Sequence, residues 1–106
     1  MENTQKDVIK RIKNAVKQDY PDADVYLYGS RARGDFNKDS DWDILVFTED
    51  KIKSLKDQLS LQGKINDIEI DIDELISMII YSKKHWREKV SITPFYQEVK
   101  NDWIKL

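Results

Sequence analysis

The segment 28–44, YGSRARGDFNKDSDWDI, restricts the fold and chemistry of this chain more than any other part of the sequence. An apolar run before it predicts a β-strand that ends at Gly29, and a second apolar run that begins at Asp41 predicts another strand. On that second strand the side chains of Asp41 and Asp43 project from one face, while Trp42 points to the opposite face. The sequence therefore predicts two carboxylates side by side on a rigid element.

The chemistry that such a pair favours is the binding of Mg²⁺ beside a phosphate. Mg²⁺ prefers one or two carboxylates, completed by water and by phosphate oxygens. Upstream, the first strand ends at Gly29-Ser30, and residues 32–34 can start a short helical turn. A strand, a tight glycine turn and a helix N-terminus present backbone N–H groups to an anion such as a triphosphate. The segment is therefore typical of a site for a nucleotide and a metal ion.

Two other motifs compete for the same residues, and both fail on spacing. The two glycines of the segment have the G-x-x-x-x-G spacing of a phosphate-binding loop, but Asp35-Phe36 follows where Lys-Ser or Lys-Thr is required. Alternate polar residues over 35–43 imitate a calcium loop, yet its sixth position is Ser40 rather than Gly and its twelfth is Val46 rather than Glu. The pattern excludes the first motif and disfavours the second.

Composition limits the chain to a small domain and excludes several classes of protein. With 106 residues, of which 40% are hydrophobic, it can form one core but not two, so we expect a single domain over residues 1–106. A net charge of −2 gives no electrostatic case for a polymerase that recruits nucleic acid. The absence of cysteine excludes disulfides and thiolate metal sites. No apolar run approaches the ~20 residues that span a bilayer, and the first residues lack the apolar stretch of a signal peptide, so we expect a cytoplasmic protein without membrane contact.

Hydrophobic periodicity predicts an alternation of helices and strands. The predicted elements are a helix over about 4–19, strands near 24–28 and 42–48, and helices over 83–89 and 94–102, the last with Thr93 as its cap and Pro94 in its first turn. The polar connection 34–40 is expected to be a mobile lip over the site.

The region after the second strand is harder to interpret. Asp50 can cap a helix in which Ile52, Leu55 and Leu59 form an apolar stripe, with an interruption at Gly63.

The following stretch 68–73, IEIDID, alternates strictly and so predicts a strand, yet Ile65, Ile68 and Ile72 also fit one face of a helix. The pattern alone leaves both structures open.

Four features of this segment, taken together, resemble the nucleotidyltransferase superfamily that includes DNA polymerase β. They are the apolar strand over 27–28, the Gly-Ser pair, the sequence Arg-Ala-Arg-Gly at 31–34 and the Asp-x-Asp in the second strand. Within it, the chain is similar to the small stand-alone minimal nucleotidyltransferases. The similarity extends, less specifically, to 81–86 and 93–99, which look like the tail of one bacterial branch. It implies a single-domain polymerase β-like α/β fold, with a small mixed sheet and helices packed on it. It also implies a helix up to about residue 71 and a third strand over 75–81.

The resemblance assigns roles to the segment. Asp41 and Asp43 would be the catalytic and metal-binding carboxylates that hold Mg²⁺ on the triphosphate. Gly29 would let the backbone approach the phosphates, and Ser30 would donate its hydroxyl to a phosphate oxygen.

Several polar and aromatic side chains have competing interpretations. Arg31 and Arg33 are candidates for binding phosphate or docking an acidic partner, and a plain surface or ion-pair role is equally compatible with the sequence. His85 is interpreted as a surface helix residue and Trp42 as core. The late aromatic residues are expected to form a satellite cluster or a protein interface; they are Trp86, Phe95, Tyr96 and Trp103.

The main departure from the family concerns a third carboxylate, which larger relatives place on a later strand as a base for the incoming hydroxyl. With a third strand over 75–81, the matching position is Leu75, and Asp73 just before it is a substitute. If 68–73 is the strand instead, Glu69, Asp71 and Asp73 share a face and any of them can serve. The sequence is therefore also compatible with a protein that is catalytically weak or inactive.

The resemblance implies a Mg²⁺-dependent nucleotidyltransferase that transfers a nucleoside monophosphate, AMP from ATP or another NTP, to a hydroxyl. Minimal members are often paired with a HEPN-type ribonuclease toxin, which they neutralise by binding and by adenylylating a tyrosine. Two alternatives stay open: a non-catalytic module that neutralises its partner by contact, and a small-molecule transferase similar to the aminoglycoside nucleotidyltransferases. An oligomer is compatible with each of them.

Overall fold

The structure, a computed structural model, describes residues 4–49 and 54–106. Its elements in chain order are helix α1 (Gln5–Asp19), strand β1 (Asp24–Tyr28), helix α2 (Ser30–Arg33), strand β2 (Trp42–Thr48), helix α3 (Leu55–Ile72), strand β3 (Ile76–Ser82), helix α4 (Lys83–His85), a π-helical turn (Trp86–Val90), helix α5 (Pro94–Asp102) and strand β4 (Ile104–Lys105). The predicted helices and strands agree with these bounds to within a few residues, except in the region that leads into α3. None of the helices in these ranges has the length and apolar character needed to cross a bilayer.

The strands form a four-stranded mixed sheet in the order β3-β2-β1-β4, which confirms the predicted α/β fold. β1 is antiparallel to both β2 and β4, whereas β2 and β3 are parallel and are joined by α3 as a crossover helix. The register pairs Tyr28 with Asp43 across β1 and β2, and Asp43 with Ser77 across β2 and β3. The end of β1 therefore meets the beginnings of β2 and β3 at one end of the sheet.

Helices α1 and α3 cover one face of this sheet. A capping box starts α1, because the hydroxyl of Thr4 accepts a hydrogen bond from the Asp7 N–H at 3.1 Å and the Asp7 carboxylate accepts one from the Thr4 N–H at 3.4 Å. The buried residues of this layer include Val8, Ile12 and Val16 of α1, Leu61, Ile65 and Ile68 of α3, and Trp42, Ile44 and Val46 of β2. Asp43, Leu45 and Phe47, which alternate with these along β2, face the opposite side.

The opposite face is covered by the aromatic cluster that the sequence predicted as a satellite. Leu45 and Phe47 of β2 pack there with Trp86, Val90 and Val99, and with the half-buried Phe95, Tyr96 and Trp103. Trp86 is at its centre, with its ring centroid 4.8 Å from that of Phe47 and 5.3 Å from that of Tyr96. His85 is exposed and stacks on the Tyr81 ring at 5.8 Å, which confirms its interpretation as a surface residue.

Helix α3 corrects the predicted apolar stripe. Leu55 and Leu59 are 70% and 61% exposed, because α3 faces the sheet with Leu61, Ile65 and Ile68 instead. The interruption expected at Gly63 is also wrong, since the helix continues through it; a glycine in an exposed helix costs only ~1 kcal/mol relative to alanine.

Two further predictions concern the residues at which α3 begins and ends. Ser54 caps the helix and accepts a hydrogen bond from the Asp57 N–H at 3.3 Å, whereas the predicted cap Asp50 and the stripe residue Ile52 lie outside the described residues. At the other end, residues 68–72 are the last turns of α3, so the strand interpretation of 68–73 is wrong. The helix ends at Asp73, which has a left-handed backbone (φ 56°), and β3 lies within one residue of the position that the resemblance implied.

Candidate active site

The two aspartates of the segment lie where β2 begins. Trp42 is 1% exposed and packs into the layer of α1 and α3, so its neighbours Asp41 and Asp43 turn to the face of α5. Asp41 directly precedes β2 and is exposed, while Asp43 is half-buried. The strand therefore presents two carboxylates on the same side, one of them partly shielded from water.

The electrostatics of this pair favour a cation. Burial raises the pKa of Asp43, the nearby Asp41 carboxylate raises it further, and the Arg33 guanidinium acts in the opposite direction. A raised carboxyl pKa means that the negative charge is incompletely compensated by the protein. An ion between the two carboxylates would supply that compensation, and two carboxylates are a donor set that Mg²⁺ accepts.

Gly29 brings the backbone against this pair. Its dihedral angles, φ 76° and ψ −158°, lie in a region that is essentially confined to glycine. A Cβ atom at this position would overlap the Oδ2 atom of Asp43. The turn between β1 and α2 therefore requires glycine for its conformation and for the space beside the carboxylate.

The short helix α2 starts from this turn. The Gly29 carbonyl accepts hydrogen bonds from the N–H groups of Ala32 and Arg33, both at 3.1 Å. Gly34 closes the helix with φ 90°, and its N–H donates to the Ser30 carbonyl at 2.9 Å. Ser30 is the first residue of α2 and is half-buried beside Gly29, so its hydroxyl remains the predicted phosphate donor.

Arg31 is buried and has partners within the chain. It is 5% exposed and forms an ion pair with Glu74. Its Nε donates a hydrogen bond to the Ser40 carbonyl at 3.0 Å, and its guanidinium lies 4.2 Å above the Trp42 ring. Of the roles that the sequence left open, the structure provides the ion pair. Arg31 thereby ties the connection 34–40 to the sheet.

Arg33, in contrast, is exposed and faces the end of α5. Its Nη1 contacts Asp102 at 3.0 Å and its Nε contacts Asp35 at 3.1 Å. These two acids raise the pKa of Arg33, which keeps the side chain charged. The pair with Asp102 joins α2 to α5.

A cavity of about 460 Å³ lies between the turn and α5. It is lined by Tyr28, Gly29, Arg33, Phe95, Glu98, Val99, Asn101 and Asp102. Burial raises the pKa of Tyr28 to about 12, with a further contribution from the Asp43 charge, so its phenol stays protonated at neutral pH. Sequence reasoning assigned no role in this site to the α5 residues or to Tyr28, because no local spacing connects α5 with the Gly-Ser turn.

No third carboxylate joins Asp41 and Asp43 from β3. Ser77 is in register with Asp43, and the Leu75 carbonyl accepts a hydrogen bond from the Trp42 N–H at 2.9 Å. Both side chains at this end of β3 are exposed, and neither is acidic.

The acids of 68–73 that were candidates have other positions. Asp71 pairs with Arg11 at 2.7 Å, Glu69 accepts a hydrogen bond from the Ile76 N–H at 2.8 Å, and Asp73 is the exposed cap of α3. Over residues 4–49 and 54–106, no group of three or more His, Cys, Asp or Glu residues is arranged to hold a metal. Among the described residues, Asp41 and Asp43 are therefore the carboxylates that this site offers to a metal ion.

Two sequence comparisons match this chain to known proteins. The family model of the nucleotidyltransferase domain matches residues 9–102. A "putative protein adenylyltransferase" of Methanocaldococcus jannaschii is 33% identical over 82 residues, which cover 77% of this chain and 76% of that protein.

Two solved structures show the same fold. One is a toxin–antitoxin with AMP-PNP (TM-score 0.63, 18% identity, 91% of this chain and 69% of that chain). The other is a tri-AMPylated HEPN toxin of Shewanella oneidensis in complex with an MNT antitoxin (TM-score 0.61, 16% identity, 96% of this chain and 71% of that chain). The match over most of the sequence confirms the resemblance: this chain belongs to the nucleotidyltransferase domain family.

Proposed function

We propose that this protein is a Mg²⁺-dependent adenylyltransferase, which transfers AMP from ATP to a hydroxyl group of a partner protein. The observation that carries the proposal is the approach of Gly29 to the Asp43 carboxylate, with Asp41 on the same face of β2. This contact supports the proposal, because a glycine turn that can approach phosphates lies directly against two carboxylates that can hold a metal ion.

Mg²⁺ fits the residues present, because the half-buried Asp43 has a raised pKa beside the Asp41 carboxylate, so the negative charge of the pair is incompletely compensated. When bound, the ion supplies neutralisation of the phosphate charge. The chain itself contributes position: Asp41 and Asp43 hold the ion, and the missing side chain of Gly29 leaves room for the Asp43 carboxylate directly beside the backbone of the turn. Arg33, which is exposed, would exchange one of its acidic partners for a phosphate.

The transfer step is a displacement at the α-phosphorus of ATP. The acceptor hydroxyl oxygen forms a bond to that phosphorus, and the bond from the phosphorus to the oxygen that bridges to the β-phosphate breaks. Pyrophosphate leaves, and the hydroxyl proton passes to water. Since Ser77 rather than an acid is in register with Asp43, β3 offers no carboxylate to accept that proton. We therefore expect slow transfer that relies on positioning and charge.

We further propose a HEPN-type toxin as the partner. The support is the MNT antitoxin of Shewanella oneidensis, whose fold this chain shares and whose toxin partner is AMPylated, and the M. jannaschii relative, whose name is that of a protein adenylyltransferase. A partner protein would supply the hydroxyl that this site acts on.

The test is the mass of the partner after incubation with ATP and Mg²⁺. A HEPN-type toxin that binds this protein should gain one or more AMP units with the wild-type protein and none with Asp43→Asn. Asp39→Asn is the matched control, because Asp39 is an exposed acid of the connection 34–40 outside the pair and should leave transfer unchanged. Equal AMP addition by Asp43→Asn and wild type would refute the proposed site.

A second function is favoured by one observation, the absence of an acid at Ser77 and Leu75. A protein without that base can neutralise its partner by contact alone. In that case, wild type and Asp43→Asn would protect equally against the toxin, and the toxin would carry no added mass.

A further inference from the structure

We propose that the cavity between Tyr28 and α5 binds the base of the nucleotide, and that Glu98 and Asn101 select adenine there. The inference rests on the proposed function, since it assumes that the phosphates bind at Gly29 and the aspartate pair. It assigns the specificity for ATP to residues of α5 that the Asp-x-Asp motif does not include.

The position of the cavity is the first argument. Gly29 and Arg33 line it, and both also belong to the proposed phosphate side of the site. Tyr28, another lining residue, is paired with Asp43 across β1 and β2. A nucleotide whose phosphates lie at the aspartate pair can therefore extend its base directly into this cavity.

The walls of the cavity suit an aromatic base. Tyr28 and Phe95 line it with ring centroids 5.8 Å apart in an edge-to-face arrangement. Its volume of about 460 Å³ lies in the range of ~300–1,000 Å³ that is usual for small-molecule sites. The rest of the lining is mainly polar and includes Arg33, Glu98, Asn101 and Asp102, which can fix the orientation of a base.

The polar groups match adenine. Asn101 offers an amide with one acceptor and two donors, which pairs bidentately with the adjacent donor and acceptor of adenine. The Glu98 carboxylate accepts hydrogen bonds only, so it favours a base with an exocyclic amino group, which adenine and guanine both have. Uracil presents two carbonyl oxygens instead, which a carboxylate repels. The choice of adenine over guanine therefore rests on the amide pairing of Asn101. Glu98 and Asp102 outnumber Arg33 here, which disfavours additional phosphate and favours a neutral base.

The cavity is also fixed in place relative to the phosphate turn. The contact of 3.0 Å between Arg33 and Asp102 joins the last turn of α5 to α2. Val99 is 1% exposed, so the same helix is anchored in the aromatic layer. Because α5 is held at Asp102 and at Val99, it can position a base relative to Gly29 without a second domain.

The experiment compares two probes on the full chain in the presence of Mg²⁺: ATP, and inorganic tripolyphosphate, which has the phosphates without the base. Isothermal titration should show tighter binding of ATP than of tripolyphosphate by the wild type. Glu98→Ala and Asn101→Ala should each lower the affinity for ATP about tenfold and leave the affinity for tripolyphosphate unchanged. The ratio of ATP affinity to UTP affinity should fall in Glu98→Ala, and the ratio of ATP affinity to GTP affinity should fall in Asn101→Ala.

Gln97→Ala is the matched control, because Gln97 is an exposed residue of α5 that does not line the cavity. Unchanged ATP affinity in Glu98→Ala and Asn101→Ala, or equal weakening of ATP and tripolyphosphate, would overturn the base site even if AMP transfer persists. Conversely, a loss of ATP affinity confined to these variants supports the base site even if no AMP is transferred, so the two proposals fail separately. A wild-type protein that binds neither probe would refute both, and melting curves without ligand confirm that each variant is folded.

Discussion

Gly29 approaches Asp43 so closely that residue 29 has no room for a Cβ atom beside the Oδ2 oxygen of that aspartate. Two sequence features that are far apart in the motif thus form one contact across β1 and β2. The contact explains why the turn carries glycine and why the strand begins with acids: the backbone and the carboxylate have to face the same small volume. In the proposed function, a phosphate oxygen and a metal ion would bind beside this contact.

The first prediction is that Gly29→Ala separates binding from folding. The substitution places a side chain in a backbone region with φ 76°, at a cost of ~1–3 kcal/mol in unfolding free energy, and displaces the Asp43 carboxylate. We expect the rise in melting temperature that Mg²⁺ and ATP give the wild type to disappear. Thermal denaturation with and without the ligands measures both effects.

Gly34→Ala is the control for that experiment. It imposes a similar backbone strain, with φ 90°, but a Cβ atom there has no neighbour within 4 Å. We expect a loss of stability with a normal response to Mg²⁺ and ATP. A variant of Gly29 that still responds like Gly34→Ala would show that the contact with Asp43 is irrelevant to binding.

The second prediction concerns the two arginines. Arg31→Leu should lower the free energy of unfolding by ~3–5 kcal/mol, because it leaves the Glu74 carboxylate without its buried partner. The double variant with Glu74→Leu should recover part of that loss. Chemical denaturation measures these values.

Arg33→Leu is the comparison for this pair. Since Arg33 is an exposed residue in surface ion pairs, its loss should change stability by less than ~1 kcal/mol. Arg33→Leu should instead lower the affinity of the protein for ATP. An Arg31→Leu protein of normal stability that has lost ATP binding would reverse the two assignments.

The third prediction is that Asp43→Asn stabilises the ligand-free protein. Because the folded-state pKa of Asp43 lies above its ordinary value, the folded chain holds more protons at this group than the unfolded chain, and its contribution to stability falls as the pH rises through that range. Asp43→Asn removes this penalty, so its melting temperature should exceed that of the wild type at neutral pH. The difference should shrink on acidification, as Asp43 becomes protonated.

Added Mg²⁺ should raise the melting temperature of the wild type more than that of Asp43→Asn, because only the wild type has the complete carboxylate pair to bind the ion. A melting temperature of Asp43→Asn below that of the wild type at every pH would contradict the assigned shift.

The parts of the site that the sequence predicted are those whose signals are local. Alternation along β2 placed Asp41 and Asp43 on the face opposite Trp42, and the glycine turn ended β1 where expected. Such signals depend only on neighbours in the chain.

The parts that the sequence could not predict depend on where elements pack. Leu55 and Leu59 have the spacing of a buried stripe, but whether a stripe is buried depends on which part of α3 overlies the sheet. Glu98 and Asn101 carry no motif, and only the packing of α5 against the second face of the sheet brings them beside Tyr28. The pairing of Arg31 with Glu74 is likewise a contact between distant parts of the chain. Non-local contacts of this kind leave no period in the sequence.

The last prediction tests whether an acid on β3 would complete the site. Ser77 is in register with Asp43 on the parallel strand, so Ser77→Asp would add a third carboxylate to the same face. We expect tighter Mg²⁺ binding and faster AMP transfer, with a lower melting temperature in metal-free buffer because three like charges repel. Leu75→Asp, two residues before Ser77 and beside Asp41, should change these quantities in the same direction.

Asp71→Asn is the control. Asp71 pairs with Arg11, so this substitution should leave the affinity for Mg²⁺ unchanged. If Mg²⁺ affinity responded to Asp71→Asn and not to Ser77→Asp, the metal would have to be bound at the end of α3 rather than on β2.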